Sequence, residues 1–218
     1  MANSSTSSHG PASLHVIWRA LKNWYDDWFN LFILNFLVTL SWVTIILGPP
    51  MVFGLYEIGR ELAHGRSNGP GELFRAAKRH FLASWLWMLS NIVAAVVVLV
   101  NVSFYWQMGK SWSIILVSIF LFLGIFWAMM QVYVVPYYME QTNKSLRLAY
   151  RNAALTFLAS PGYTLVLFLY AAFWLIVSFG FILPLILGAP SLAVVTSNYA
   201  VMERLQAFGV DGERWHGH

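Results

Sequence analysis

The sequence predicts an all-α fold, a polytopic membrane helix bundle with about five transmembrane helices and an N-terminal interfacial amphipathic helix. The composition is the first observation behind this prediction: 59% of the 218 residues are hydrophobic and 10% are charged, against roughly 25% charged in soluble domains. The second is that four long ranges lack Asp, Glu, Lys and Arg, namely 28–56, 81–109, 111–139 and 152–202. Spans in lipid are expected to be helical because a helix satisfies its own backbone hydrogen bonds.

The charge-free ranges place the individual spans. The last range is too long for one helix, and Gly188-Ala189-Pro190 is expected to divide it. The predicted transmembrane domain is therefore 28–205, with spans near 28–48, 82–106, 112–137, 162–187 and 190–204. A C-terminal tail, 206–218, follows it.

The segment before the first span divides into two parts. Residues 1–12 are rich in Ser and Thr and are expected to form a disordered tail. Residues 13–27 are expected to form the interfacial helix, because the apolar residues Leu14, Ile17, Trp18, Leu21 and Trp24 or Tyr25 recur at helical spacing. This helix serves either as an anchor for the first span or as a docking surface for a partner.

The positive charges predict the orientation. Ten of the thirteen Lys and Arg residues would lie on one side of five spans, in the loop 57–80, the connector 140–151 and the C-terminal tail. Three lie on the other side: Arg19, Lys22 and Lys110. The positive-inside rule then predicts a multi-pass protein of the cell (plasma) membrane with its N-terminus outside and its C-terminus in the cytoplasm. The alternative is that residues 28–56 form a re-entrant hairpin, which would keep the N-terminus inside.

A Gly-Pro-Pro break ends the first span. Gly48, Pro49 and Pro50 are expected to form a structural elbow, after which a half-submerged helix surfaces on the cytoplasmic side. Gly188 and Pro190 repeat this arrangement before the last span. The sequence echoes itself a second time, since Arg75 and Arg79 precede Phe-Leu-Ala-Ser as do Arg147 and Arg151. These echoes indicate two related halves, and chance similarity in a biased composition is the alternative.

Two runs resemble a known family. The runs NLFILNFLVTLSWVTIILGPPMVFGLYEIGRELAHG and GELFRAAKRHFLASWLWMLSNI are similar to the start of the YesL-like bacterial integral membrane proteins, a domain of unknown function. The matching positions are Thr44, Gly48, Pro49, Leu62 and Gly65, whereas Ile45-Ile46-Leu47 and the second proline depart from the family's turn. The resemblance implies an association with carbohydrate ABC-type uptake or its sensing, and it carries no catalytic residues.

Polar residues within the predicted spans are amides and hydroxyls, which are typical of interhelical hydrogen bonding. The principal ones are Asn35, Thr39, Asn91, Asn101, Gln131 and Asn198. The alternative interpretation is a substrate path or a pocket between kinked helices, lined by Asn91, Gln131 and tryptophans. Outside the spans, Glu57, Glu61 and His64 share one helical face, and a salt-bridged solvated helix is favoured there over a metal site.

These patterns predict a non-catalytic accessory or regulatory subunit without cofactors. Its expected partners are membrane lipid and another membrane protein, namely a transporter permease, a sensor or a second copy of the chain; no nucleic acid is expected. The alternative is a stand-alone small-molecule or lipid-binding or transport protein. The candidate cytoplasmic interaction surface comprises Glu57, Arg60, Glu61, Arg75, Lys78, Arg79, Arg147 and Arg151.

Overall fold

The structure, a computed structural model, describes residues 12–180 and 188–207, and this part of the chain is almost entirely helical. The all-α prediction is therefore confirmed there. The predictions for residues 1–11, for the end of the span 162–187 and for the tail beyond Ala207 lie outside the described residues. In chain order the helices are α1 (Ala12–Asp26), α2 (Trp28–Ser41), α3 (Gly48–Ala63), α4 (Pro70–Arg79), α5 (Phe81–Gln107), α6 (Ser113–Glu140), α7 (Leu146–Ala159), α8 (Pro161–Gly180) and α9 (Ala189–Ala207).

Two helices, α5 and α6, are each long and apolar enough to cross a membrane. Two further pairs meet this test only together: α1 with α2, bent by 92°, and α7 with α8, bent by 112°. Each bent pair is either a broken span or a re-entrant loop. The helices thus indicate a membrane protein with two to four spans by length and composition, and the count of about five stays a prediction.

Helices α2 and α3 form a hairpin whose two ends meet. The hydroxyl of Ser67 lies 2.9 Å from Asp27 Oδ2, and Asn30 Nδ2 donates to the carbonyl of Asn68 at 2.9 Å. The 14 residues of α2 span only about 21 Å, less than the roughly 30 Å of a hydrocarbon core. These contacts favour the re-entrant hairpin over a first span that crosses to the other side.

The Gly-Pro-Pro break begins α3, which is the central helix of the bundle. Pro49 and Pro50 occupy its first turn, where the missing backbone donors cost no hydrogen bond. Eleven of its sixteen residues are buried, and it packs against α2, α4, α5, α6 and α9. The expectation of a half-submerged surface helix is therefore wrong, because neighbouring helices cover α3 on nearly every side.

Helix α9 packs on α3, so the two proline-initiated helices of the sequence echo lie against each other. Gly59 of α3 allows this approach, because a Cβ there would lie 2.8 Å from Asn198 Nδ2. Pro190 is in the first turn of α9. Gly188 precedes it at φ +143°, packed against the Trp24 indole. Helix α1 also packs on α9, where the Trp24 indole donates to the Ser191 hydroxyl at 2.9 Å. Val16 and Ala20 of α1 are buried, while Trp18 and Tyr25 remain exposed.

Candidate functional site

A buried carboxylate, Glu57, lies at the centre of the candidate site. Its side chain is 8% exposed, and its residue position on α3 faces the junction of α4 and α5. His80, between these two helices, is also buried and places Nε2 2.7 Å from Glu57 Oε2. Arg79 Nη1 lies 3.1 Å from the other carboxylate oxygen. Adjacent residues at one helix junction thus hold both oxygens of Glu57.

Arg60 and Tyr138 also contact this site. We call the five residues Glu57, Arg60, Arg79, His80 and Tyr138 the Glu57 cluster. Arg60 lies one turn after Glu57, with Nη2 3.7 Å from Oε1. Its Nη1 donates to the carbonyl of Met139 at 2.8 Å. The Tyr138 hydroxyl lies 3.3 Å from His80 Nδ1. With a proton on Nε2, the neutral imidazole donates to Glu57 and accepts from Tyr138.

The electrostatics of the cluster favour the charged carboxylate. Burial by itself would raise the pKa of Glu57, because it removes water from the anion. The hydrogen bond from His80 and the charge of Arg60 outweigh burial and lower the Glu57 pKa to about 2. Glu57 is therefore an anion at neutral pH, bound by cationic and hydrogen-bonding groups from α3, α4 and the start of α5.

Ion pairs extend outward from the cluster. Glu61 pairs with Arg60 and Arg66, and His64 Nε2 lies 3.2 Å from Glu140 at the end of α6. Glu61 shares Arg60 with Glu57, whereas His64 contacts Glu140 on another helix. Within the described residues, no group of three His, Cys, Asp or Glu side chains could hold a metal ion.

The candidate interaction surface divides into two sets in the structure. Glu57, Arg60 and Glu61 are covered and pair with one another or with neighbouring helices. The expectation of a solvated helix face is therefore wrong for Glu57. The remaining members are exposed: Arg75, Lys78, Arg79, Arg147 and Arg151.

The amides in the spans mostly connect helices. The Trp87 indole donates to Gln131 Oε1 at 3.0 Å, and the Trp127 indole donates to Asn91 Oδ1 at 3.1 Å. The backbone N–H of Ser191 in α9 donates to Asn35 Oδ1, and Asn198 donates to the Tyr56 carbonyl. Thr39 and Asn101 donate to carbonyls of their own helices. Asn91 and Gln131 each accept a hydrogen bond from a tryptophan indole, which agrees with the interpretation of interhelical hydrogen bonding, and the pocket stays an alternative.

Sequence reasoning missed two groups of residues. The first is His80, which the charge pattern does not single out, although its place after Arg79 and before the charge-free range 81–109 indicates a junction between two helices. The second group joins α8 to α9: Tyr163 donates to Glu203 Oε2 at 2.7 Å, and the Arg204 guanidinium lies 3.7 Å above the Tyr163 ring. In the sequence, Arg204 is only one of the ten positive charges that predict the orientation.

Comparison with known proteins adds no assignment. No protein-family model, curated protein or solved structure matches this chain. The site is therefore interpreted from its own geometry.

Proposed function

We propose that the protein is a non-catalytic integral membrane subunit that binds another membrane protein through the outer face of α5. The observation that supports this proposal is the exposure of that helix. Only 6% of its most apolar stretch is buried inside the bundle, against 22% for α6. The exposed side chains include Val93, Val96, Val97, Leu99 and Val100. Such a face needs a lipid or protein neighbour.

The Glu57 cluster, at the start of α5, supports a structural role in which this end of the helix is held in place. It joins α3 to the α4–α5 junction and, through Arg60, to the end of α6. Separating these helices would break buried charged contacts, which is costly. The cluster therefore holds the start of α5 and the end of α6 against α3. The exposed helix α5 and its neighbour α6 are thereby held in a defined orientation.

A transporter permease or a sensor of carbohydrate uptake is the proposed partner, since the YesL-like resemblance implies that setting. Purification of the tagged chain in a mild detergent from its native host tests this. Recovery of a permease or sensor in a fixed ratio supports the subunit, and the same ratio after crosslinking in the membrane excludes association in detergent alone. Recovery of monomer and lipid under both conditions contradicts it.

A stand-alone small-molecule or lipid-binding protein is the second candidate. An open groove at the outer end of α5 favours it, lined by Leu99, Val100, Ser103, Phe104, Gln107 and Met108. A rise in the melting temperature of the purified chain on addition of a sugar or lipid, abolished by Ser103→Leu with Gln107→Leu, would support this candidate over the subunit.

A further inference from the structure

Helix α7 has two different faces. Ala149, Ala153 and Thr156 are buried on the inner face, which packs on α6. The Thr156 hydroxyl lies 2.6 Å from the Tyr137 hydroxyl of α6. The opposite face carries what we call the outer stripe: Arg147, Arg151, Leu155 and Leu158, all exposed. At about 100° per residue, these four side chains fall within roughly 80° of the helix circumference.

The outer stripe changes character along the helix. Its two arginines are one turn apart in the N-terminal half, and its two leucines, 53% and 65% exposed, lie in the C-terminal half. Directly after Leu158 the chain bends by 112° into the apolar helix α8. The stripe therefore runs from cationic to apolar toward the apolar helix α8.

The arginines of the outer stripe differ from their counterparts in the sequence echo. Arg75 pairs with Glu72 at 2.8 Å, and Arg79 pairs with both Glu72 and Glu57. Arg147 and Arg151 have no ion-pair partner among residues 12–180 and 188–207, and α7 itself contains no Asp or Glu. The first pair is neutralised by neighbouring carboxylates, whereas the second presents two charges that no carboxylate of the described residues compensates.

We propose that the outer stripe binds an anionic phospholipid, with the headgroup phosphate at Arg147 and Arg151 and an acyl chain along Leu155 and Leu158. Guanidinium groups donate paired hydrogen bonds to phosphate oxygens, so two of them one turn apart suit a phosphodiester. The positive end of the helix dipole adds to this attraction at the N-terminal half of α7. The order of charge and apolar surface along the stripe matches the order of headgroup and acyl chain in a lipid.

The test measures lipid binding to the purified full-length chain in a neutral detergent. Dioleoylphosphatidylglycerol and dioleoylphosphatidylcholine, which share their acyl chains, are titrated separately and bound lipid is counted by native mass spectrometry. We expect phosphatidylglycerol to bind more tightly, and Arg147→Gln with Arg151→Gln to weaken its binding about 30-fold while leaving phosphatidylcholine unchanged.

Two further variants make the result specific. Lys22→Gln with Lys110→Gln removes the same charge from exposed sites on other segments, and it should change phosphatidylglycerol binding less than threefold. Arg147→Lys with Arg151→Lys keeps the charge but loses the paired guanidinium donors, so it should bind phosphatidylglycerol more weakly than the native chain and more tightly than the glutamine variant. If the glutamine variant fails to fold, this variant becomes the test, and unchanged phosphatidylglycerol binding would contradict the proposed paired hydrogen bonds.

Four outcomes would overturn the proposal. Equal binding of both lipids to the native chain would remove the headgroup preference. If Lys22→Gln with Lys110→Gln weakened phosphatidylglycerol binding as much as the arginine-to-glutamine variant does, the effect would be one of net charge alone. Displacement of phosphatidylglycerol by millimolar inorganic phosphate, or conversion of a dimer to a monomer by the arginine variant, would assign the stripe to a free anion or to a second copy of the chain.

Discussion

Glu57 Oε2 lies 2.7 Å from His80 Nε2, which joins the central helix α3 to the junction of α4 and α5. Both side chains are buried. The pair is therefore a direct connection between the core of the bundle and the beginning of the exposed helix α5. Because Arg79 contacts the second oxygen of Glu57, this junction is fixed by two adjacent residues of the chain.

Replacing Glu57 tests the structural importance of the cluster. Glu57→Gln keeps the shape of the side chain but removes the charge that His80, Arg60 and Arg79 contact. Arg60 keeps Glu61 and Arg79 keeps Glu72, so the expected cost is that of weakened charged hydrogen bonds, about 2–3 kcal/mol. The melting temperature in detergent should fall by about 5–10 °C. Glu72→Gln is the matched control, because its ion pairs lie at the surface, and it should cost about 1 kcal/mol or less. Equal losses in the two variants would contradict a special role for Glu57.

The pH dependence of stability follows from the same carboxylate. The Glu57 pKa is about 2 in the folded protein, below its ordinary value of 4.5. The folded state therefore gains stability from ionised Glu57 above pH 4.5, and it loses that gain as the pH falls from 4.5 toward 2. The melting temperature of the native chain should fall through this window. Glu57→Gln should show a shallower fall, and parallel curves would contradict the assignment.

The topology of the α2–α3 hairpin can be tested with cysteine labelling, since the sequence contains no cysteine. Contacts between its ends lead us to expect Lys22→Cys and Ser67→Cys on one side of the membrane and Lys110→Cys on the other. An impermeant thiol reagent applied to intact cells should therefore give the first two the same reactivity. A shared reactivity of Lys22→Cys and Lys110→Cys, with the opposite result for Ser67→Cys, would restore the crossing first span.

A glycine contact tests the packing of α4 against α3. A Cβ at Gly54 would lie 2.7 Å from the backbone carbonyl oxygen of Leu73, which cannot move without shifting α4. Gly54→Ala should lower stability by about 1–3 kcal/mol through this overpacking. Gly71→Ala, where nothing lies within 4 Å, is the control and should be neutral or slightly stabilising. A thermal unfolding assay in detergent compares the two, and equal stability of both variants would contradict the packing.

The sequence predicted helices well because their signals are local. Long charge-free ranges identified α5 and α6, and the prolines at 49, 50 and 190 marked helix starts. The burial of α3 was not predictable in this way. Its Glu57, Arg60 and Glu61 read as a solvated face, because sequence does not show that α4, α6 and the α4–α5 junction surround them.

The candidate site escaped prediction for the same physical reason. Glu57 and His80 are 23 positions apart, and only tertiary packing brings them together. Hydrogen bonding by the amides could be predicted from the sequence, because an amide within an apolar span requires a partner wherever the span lies. The partners themselves, such as the Trp127 indole for Asn91, follow from the packing of α5 on α6.

Photo-crosslinking at α5 in the native host tests the proposed subunit role most directly. Benzoylphenylalanine is placed at Val96 or Val100, which are one turn apart and 51% and 60% exposed. The control position is Trp18 of α1, 68% exposed and outside the proposed face. Illumination of whole cells should join the α5 positions to one discrete membrane protein, and the control should not give this product. Adducts of lipid alone from both α5 positions would contradict the proposed subunit.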